Sequence, residues 1–101
     1  MFLIEKTVTF DRWLTGLKAP TAKSRILVQI KKVEAGNLGS NKSLGGGLSE
    51  LKIDYGPGYR LYYTRRGRTV IWLLCGGDKR SERRDIAKAL RLLDELEHFN
   101  G

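Results

Sequence analysis

Residues 48–80, LSELKIDYGPGYRLYYTRRGRTVIWLLCGGDKR, decide the fold. They predict three short strands joined by two tight turns and followed by a basic bend. Leu, Ile and Tyr residues alternate with polar ones on either side of Gly56-Pro57-Gly58, a tripeptide typical of a turn. A second turn is expected at Arg66-Gly67. The nearly unbroken apolar run from Thr69 to Cys75 predicts a strand that is covered on both faces.

Pairing across the first turn places polar side chains on one face of this three-stranded antiparallel meander. Residues two apart in a strand share a face, and antiparallel neighbours lie opposite each other. With the turn centred on Pro57, Asp54 faces Arg60. In the same register Lys52 faces Tyr62, and the Leu, Ile and Tyr set forms the other face. The alternative interpretation is the ordinary solvated face of a half-exposed sheet.

The residues before the meander predict a strand and a helical hairpin. Phe2 to Val8 alternates loosely and is rich in β-formers. Asp11 is a candidate cap of a first helix, Pro20 suits the first turn of a second, and Gly36 marks its end. Buried stripes are expected at Trp13, Leu14 and Leu17 in the first helix and at Ala22, Ile26, Ile30 and Val33 in the second.

The segment from Asn37 to Gly47 is rich in Gly, Asn and Ser, which predicts a loop. A phosphate-binding P-loop requires Gly-Lys-Ser/Thr at the start of a helix that follows a strand. Here Lys42-Ser43 precede the glycines, and the segment leads from a helix into a strand. The pattern therefore favours a connector over a nucleotide site.

A last helix is expected after the meander, with Ser81 as its cap. Its predicted apolar stripe consists of Ile86, Ala89, Leu90, Leu93 and Leu96. Its predicted solvent-exposed face carries Arg83, Arg84, Lys88 and Arg91. The whole order is strand, two helices, three antiparallel strands and a helix. This order predicts one α+β domain over residues 1–101, with the helices covering one face of the sheet.

The amino-acid composition indicates what kind of partner the protein binds and where it is found. Nineteen Lys and Arg against eleven Asp and Glu give a formal charge of +8, which favours a polyanion or an acidic protein over a neutral metabolite. The single cysteine, Cys75, lies in the apolar strand and is expected to be a buried structural thiol. No segment approaches the ~20 apolar residues of a membrane span, and we expect a cytoplasmic protein with no membrane partner.

The residue types exclude several kinds of catalytic site. His98 is the sole histidine, and no Cys/His spacing resembles that of a metal site. Glu50, Asp54 and Asp78 are scattered among cations, so a metal nuclease is not favoured and no cofactor is expected.

Metal-free cleavage of RNA remains chemically open, because the 2′-hydroxyl is an internal nucleophile. The protein must then stabilise the charge of the transition state and move two protons. Arginine forks suit the first task, and lysines crowded by other cations suit the second. The candidates are Lys52, Arg60, Lys79 and Arg80.

Four stretches together resemble one known group of proteins. They are ELKIDYGPGYRLYY at 50–63, LLCGGDKRSERRDIAKA at 73–89, VEAGNLG at 33–39 and LGGGLSEL at 44–51. The chain resembles the RelE/HigB-like superfamily of bacterial type II toxins, most closely its phage-derived branch of addiction module killer proteins. The resemblance implies a RelE/ParE-like fold and a ribosome-dependent endoribonuclease, or mRNA interferase, that inhibits translation. It also implies a small helix-turn-helix antitoxin, through which alone operator DNA would be bound.

Carried over residue by residue, the family's strand arginine matches Arg60 and its basic pair matches Lys79 and Arg80. A lysine on the preceding strand matches Lys52. The residues expected to contact RNA are Tyr62, Asp54, Arg65 and Arg83. Ile86 stands where RelE-type enzymes carry a tyrosine, which leaves the general acid and base unassigned.

Two alternatives remain at this point. The related ParE branch shares the fold and poisons DNA gyrase by protein binding, without cutting RNA. A non-toxic structural protein with a basic sheet is the other. For the nuclease, we expect Arg60→Ala to abolish toxicity with little loss of stability, because an exposed sheet arginine contributes little to folding.

Overall fold

Five strands and three α-helices follow one another in a computed structural model that describes residues 1–99. The strands are β1 (Leu3–Lys6), β2 (Asn41–Gly45), β3 (Leu48–Ile53), β4 (Tyr59–Arg66) and β5 (Val70–Asp78). The helices are α1 (Val8–Gly16), α2 (Pro20–Glu34) and α3 (Glu82–Phe99), the last preceded by a 3₁₀ turn at Lys79–Ser81. Within residues 1–99, none of the helices combines the length and the apolar character that crossing a bilayer requires.

The strands form one mixed sheet in the order β1-β5-β4-β3-β2. β1 runs parallel to β5, and all other neighbours are antiparallel. The α+β class, the meander β3-β4-β5 and the N-terminal strand are therefore confirmed. β5 lies between β1 and β4 and is covered on both faces, as its apolar sequence predicts.

The prediction that residues 37–47 form a loop is wrong in part, because β2 lies inside this segment and adds an edge strand beside β3. The sheet consequently has five strands where the sequence predicts four. Gly46 and Gly47 form the connecting turn with φ of +63° and +88°, which glycine adopts without steric cost. The strand sequence NKSLG carries no alternating apolar signal, so pairing with β3 decides its conformation.

The register of the β3–β4 hairpin differs by two residues from the predicted one. Lys52 pairs with Arg60, and Glu50 pairs with Tyr62. A shift of two preserves the faces, so Lys52, Arg60 and Tyr62 do share one face. Asp54 lies beyond the last pair, in the turn.

Helices cover both faces of the sheet, which corrects the prediction that they cover one. The first core packs α1 and α2 against one face and includes Phe10, Ile26, Leu61 and Ile71. The second core packs α3 against the other face and includes Leu48, Tyr62, Leu74, Cys75, Ala89 and Leu93. The face expected to be polar and open is therefore largely occupied by α3.

A bulge in β5 lets this strand supply both cores. Tyr62 pairs with Cys75 and Tyr63 with Leu73, so Leu74 is an extra residue on the β5 side. Leu73 packs in the first core, whereas Leu74 and Cys75 both pack in the second.

The helix ends differ in detail from the predicted ones. Thr7 caps α1 in place of Asp11: its hydroxyl accepts a hydrogen bond from the Phe10 amide at 3.0 Å. Asp78 caps the 3₁₀ turn that contains Ser81. Leu90, predicted in the buried stripe of α3, is 46% exposed.

Candidate functional site

Three neighbouring strands bring the four predicted catalytic residues to one end of the sheet. Lys52 on β3 pairs with Arg60 on β4, which pairs with Gly77 on β5. Lys79 and Arg80 follow Gly77 by two and three positions. Because neighbouring strands lie about 4.8 Å apart, the row from β3 to β5 spans roughly 10 Å. We call Lys52, Arg60, Lys79 and Arg80 the sheet rim.

Three of these cations are open to solvent. Lys52, Lys79 and Arg80 are exposed. Among residues 1–99, no carboxylate lies within 4.0 Å of the Lys52 or Lys79 ammonium group. Arg80 is 3.3 Å from Asp78, but its side chain is 83% exposed. These groups can therefore meet an anionic ligand without first leaving a buried partner.

Arg60 is buried, which corrects the expectation of an exposed sheet arginine. The residue is 6% exposed, and its Nε lies 3.1 Å from a Glu82 carboxylate oxygen and 3.5 Å from one of Glu50. Its Nη1 donates a hydrogen bond to the Gly58 carbonyl at 3.2 Å. Arg60 thus joins the first turn of α3 to the β3–β4 hairpin and does not reach the surface.

Tyr62 is fully buried beneath α3, so the prediction that it stacks on an RNA base is wrong for this structure. Burial raises the pKa of its phenol strongly, and the nearby carboxylates of Glu50, Glu82 and Asp85 raise it further. The group therefore stays protonated. Within the described residues, its Oη has no hydrogen-bond partner.

Two more polar atoms beside Tyr62 lack a well-formed hydrogen bond among residues 1–99, namely Glu50 Oε2 and Arg60 Nε. Arg60 Nε is within ion-pair distance of two carboxylates, but its N–H is not aligned with either oxygen. Under α3, the charge of Arg60 is therefore balanced by its carboxylate neighbours, but the polar atoms of Glu50, Arg60 and Tyr62 are incompletely hydrogen-bonded.

The other residues predicted to contact RNA are dispersed. Asp54 is exposed in the hairpin turn beside the rim, and Arg83 is exposed on the first turn of α3. Arg65 lies near the opposite end of β4, roughly 17 Å along the strand from Arg60. Its guanidinium stacks 4.8 Å over the Phe2 ring. The structure does not bring Arg65 to the rim.

Sequence reasoning missed a buried carboxylate behind the rim. Asp85 is 4% exposed and accepts a 2.5 Å hydrogen bond from the Ser81 hydroxyl. A Cβ atom at Gly77 would lie 1.8 Å from Asp85 Oδ2, so Gly77 makes room for this side chain. The Ser81 to Asp85 spacing of four residues and the Gly76-Gly77 pair in a strand are the available sequence signals.

Cys75 is a buried free thiol, as expected. Its Sγ donates to the backbone carbonyl of Asp85 at 3.5 Å. Burial first, and the nearby Asp85 carboxylate second, raise the pKa of the Cys75 thiol to about 12. A thiol with so high a pKa is not a nucleophile at neutral pH.

Acidic side chains do not assemble into a cation site in the part of the chain that the structure describes, where no group of three or more His, Cys, Asp or Glu residues is placed to hold a metal ion. Glu50 is occupied by Arg60, Asp78 is occupied by Arg80, and Asp54 lies in the turn.

The chain is similar over nearly its whole length to a known protein. No protein-family model matches the chain. An uncharacterized protein of Haemophilus influenzae (strain ATCC 51907 / DSM 11121 / KW20 / Rd) is 45% identical to it over 93 residues. The match covers 92% of this chain and 94% of the relative, so it includes residues 52–80, which carry the rim.

Proposed function

This chain belongs to the same family as the Haemophilus influenzae protein, and we propose that it is the toxin of a type II toxin–antitoxin system. In this proposal it is a cytoplasmic, metal-independent, ribosome-dependent endoribonuclease that cleaves mRNA and so inhibits translation. Its RelE/ParE-like arrangement would be the N-terminal strand, the helical hairpin, the antiparallel meander and the C-terminal helix.

The observation that carries the proposal is the exposure of three cations at one end of the sheet. Lys52 lies on β3, and Lys79 and Arg80 lie in the turn directly after β5, a strand whose backbone is roughly 10 Å from that of β3. Cationic donors of this kind can stabilise the negative charge that develops on a phosphate during 2′-hydroxyl attack. A lysine ammonium group can also protonate the leaving 5′ oxygen, while the proton of the 2′-hydroxyl passes to solvent water.

Arg60 has a different role in this proposal from the one its sequence position suggests. It contacts Glu50 and Glu82 and is a positioning residue, because it fixes the first turn of α3 beside Lys79 and Arg80. Its guanidinium does not touch the scissile phosphate in this conformation.

The positive charge of the rim also indicates that its partners carry negative charge. A cognate antitoxin would place acidic side chains over Lys52, Lys79 and Arg80 and compete with RNA for them. We propose a small helix-turn-helix antitoxin that alone contacts the operator DNA. The ribosome and its mRNA are the other partners.

Cleavage of a defined mRNA in a purified translation system, with and without ribosomes, tests the proposal. Lys52→Ala and Lys79→Ala should each lower the cleavage rate by about 100-fold, the usual effect of deleting one transition-state charge contact. Both residues are exposed, so both variants should fold. Lys32→Ala, which removes an exposed lysine from α2, is the matched control.

Three results would contradict the proposal. Intact mRNA in the presence of ribosomes, together with arrested growth and double-strand DNA breaks, would indicate a gyrase inhibitor that acts by protein binding. Overexpression without any growth defect would indicate a non-toxic protein. Full cleavage activity in both Lys52→Ala and Lys79→Ala would place the chemistry away from the rim.

A further inference from the structure

A cleft lies at the edge of β5 beyond Leu73, the last residue that pairs with β1, and it is lined by residues of α1 and α3, which pack on opposite faces of the sheet. Its larger part encloses about 390 Å³, and Gly76 and Gly77 line it. A neighbouring hollow of about 370 Å³ is lined in part by the same residues, Trp13, Gly76 and Lys88, and we call the two hollows together the cleft. Volumes of roughly 300–1,000 Å³ are typical of small-ligand sites. The proposed catalytic roles of the rim leave this cleft without a function.

The walls of the cleft are cationic. Arg84 and Lys88 contribute from α3, and Arg12 contributes from α1. Among residues 1–99, none of these three has a carboxylate within 4.0 Å. Arg84 and Lys88 are four residues apart, so they project on the same side of α3 with about 6 Å of rise between them. Two phosphates of one strand can therefore be contacted in succession.

The two carboxylates in the cleft are already engaged. Asp85 is buried and accepts the hydrogen bond of the Ser81 hydroxyl. Asp78 accepts hydrogen bonds from the Arg80 backbone amide at 2.9 Å and from its guanidinium at 3.3 Å. The cleft still carries a net positive charge, because Arg12, Arg80, Arg84 and Lys88 outnumber these two carboxylates.

An aromatic ring stands beside these cations in a fixed position. Trp13 is partly exposed and lines both parts of the cleft. Its ring packs so closely on Gly76 that a Cβ atom there would lie 2.3 Å from it. It also contacts the rings of Phe10 and Tyr59, whose centroids are 5.7 Å and 6.3 Å away. Proteins that bind single-stranded nucleic acid combine cations with an aromatic ring on which a base can stack.

We infer that this cleft binds single-stranded RNA, with a base against Trp13 and successive phosphates at Arg84 and Lys88. Arg80 belongs to both the rim and the cleft, so one RNA strand can run from the cleavage site into the cleft. The inference rests on the proposed function, because it assigns to the cleft the part of the RNA that lies beyond the cut. An acidic peptide could also form ion pairs with the cations, but it has no base to stack on Trp13, so the ring favours RNA.

The test is binding of a short, fluorescein-labelled RNA with 2′-O-methyl sugars, which cannot be cleaved. Arg84→Ala/Lys88→Ala should weaken binding at least about tenfold and lower the salt slope by about 1.4, since each phosphate contact to a single strand contributes ~0.7. Lys32→Ala/Arg91→Ala removes the same charge from exposed positions outside the cleft, and it should change the affinity by no more than about twofold and leave the salt slope unchanged. Circular dichroism confirms that both double variants fold.

A second readout reports on the ring itself. The chain has two tryptophans, so Trp72→Phe leaves Trp13 as the sole indole. RNA should quench Trp13 fluorescence in this variant, and much less so when Arg84 and Lys88 are also replaced. Absence of quenching at saturating RNA would overturn the contact between Trp13 and a base.

The outcomes separate this inference from the proposed function. If the wild type cleaves mRNA but the Arg84/Lys88 variant binds RNA as tightly as the wild type, the nuclease stands and the cleft inference fails. If the wild type does not cleave but RNA binding depends on Arg84 and Lys88, the inference stands without the nuclease. If a polyglutamate peptide binds the cleft and RNA does not, the occupant is an acidic protein segment and the inference is overturned.

Discussion

Replacing Arg60 by alanine is expected to destabilise the protein by about 3–5 kcal/mol, the usual cost of removing one partner from a buried ion pair. Arg60 is 6% exposed and its partner Glu50 is 3% exposed, so the variant leaves the Glu50 carboxylate buried without a cation. Glu82 adds little, because its side chain is 37% exposed and water screens its charge.

A loss of this size is a large fraction of the free energy of unfolding, which is typically about 5–15 kcal/mol for a single domain. Since about 1 kcal/mol corresponds to roughly 4–8 °C for a domain of about 100 residues, Tm should fall by at least about 12 °C. The sequence alone predicts the opposite, namely an exposed arginine with little effect on folding.

Urea unfolding followed by circular dichroism measures the effect. The matched control is Lys52→Ala, whose exposed side chain faces Arg60 across the hairpin and should change the free energy of unfolding by no more than about 0.5 kcal/mol. Arg60→Ala/Glu50→Gln removes the unpaired charge and should recover a substantial part of the loss. A change below about 1 kcal/mol in Arg60→Ala would refute the claim that this residue fixes α3 to the sheet.

Three further predictions follow from other buried or capped groups. Tyr62→Phe should leave Tm unchanged or raise it, because the hydroxyl it removes has no partner among the described residues; a loss above about 1 kcal/mol would reveal one. With its pKa raised to about 12, Cys75 should resist a thiol-specific dye at pH 8 and react once urea unfolds the chain; rapid native labelling would contradict its burial. Burial opposes ionisation of Asp78, but hydrogen bonds from Arg80 outweigh it and lower the pKa of this carboxyl. Asparagine retains the capping oxygen and removes only the charge. Asp78→Asn should therefore cost about 0.2–1 kcal/mol at pH 7, and the cost should disappear as the pH falls through the folded-state pKa; a cost that does not change with pH would show that the charge is irrelevant.

The sequence predicts the meander and its faces because period-two alternation is a local property. Lys52, Arg60 and Tyr62 share a face whether the hairpin register is the predicted one or the observed one, since the two differ by an even number of residues. The gathering of Lys79 and Arg80 beside them follows from their position directly after β5.

The period-two alternation does not show that the face carrying Arg60 and Tyr62 is buried. α3 is amphipathic, and its apolar stripe fits either face of a sheet until the chain path after β5 is known. The ion pairs of Arg60 and the burial of Tyr62 depend on that choice. β2 was missed for a different reason, because NKSLG is a strand only through its partner β3.

The extra residue in β5 determines where this strand can change length. Deleting Leu74 would restore regular alternation and keep Gly76 against Trp13 and Gly77 against Asp85. Deleting Gly76 instead would turn Gly77 towards the indole and swing the Asp78 carboxylate towards Asp85, displacing the basic turn that follows. Natural variants whose β5 is one residue shorter should therefore lack a residue at the bulge. A deletion there leaves the side chains after the bulge on their present faces of the sheet, so the basic turn keeps its position.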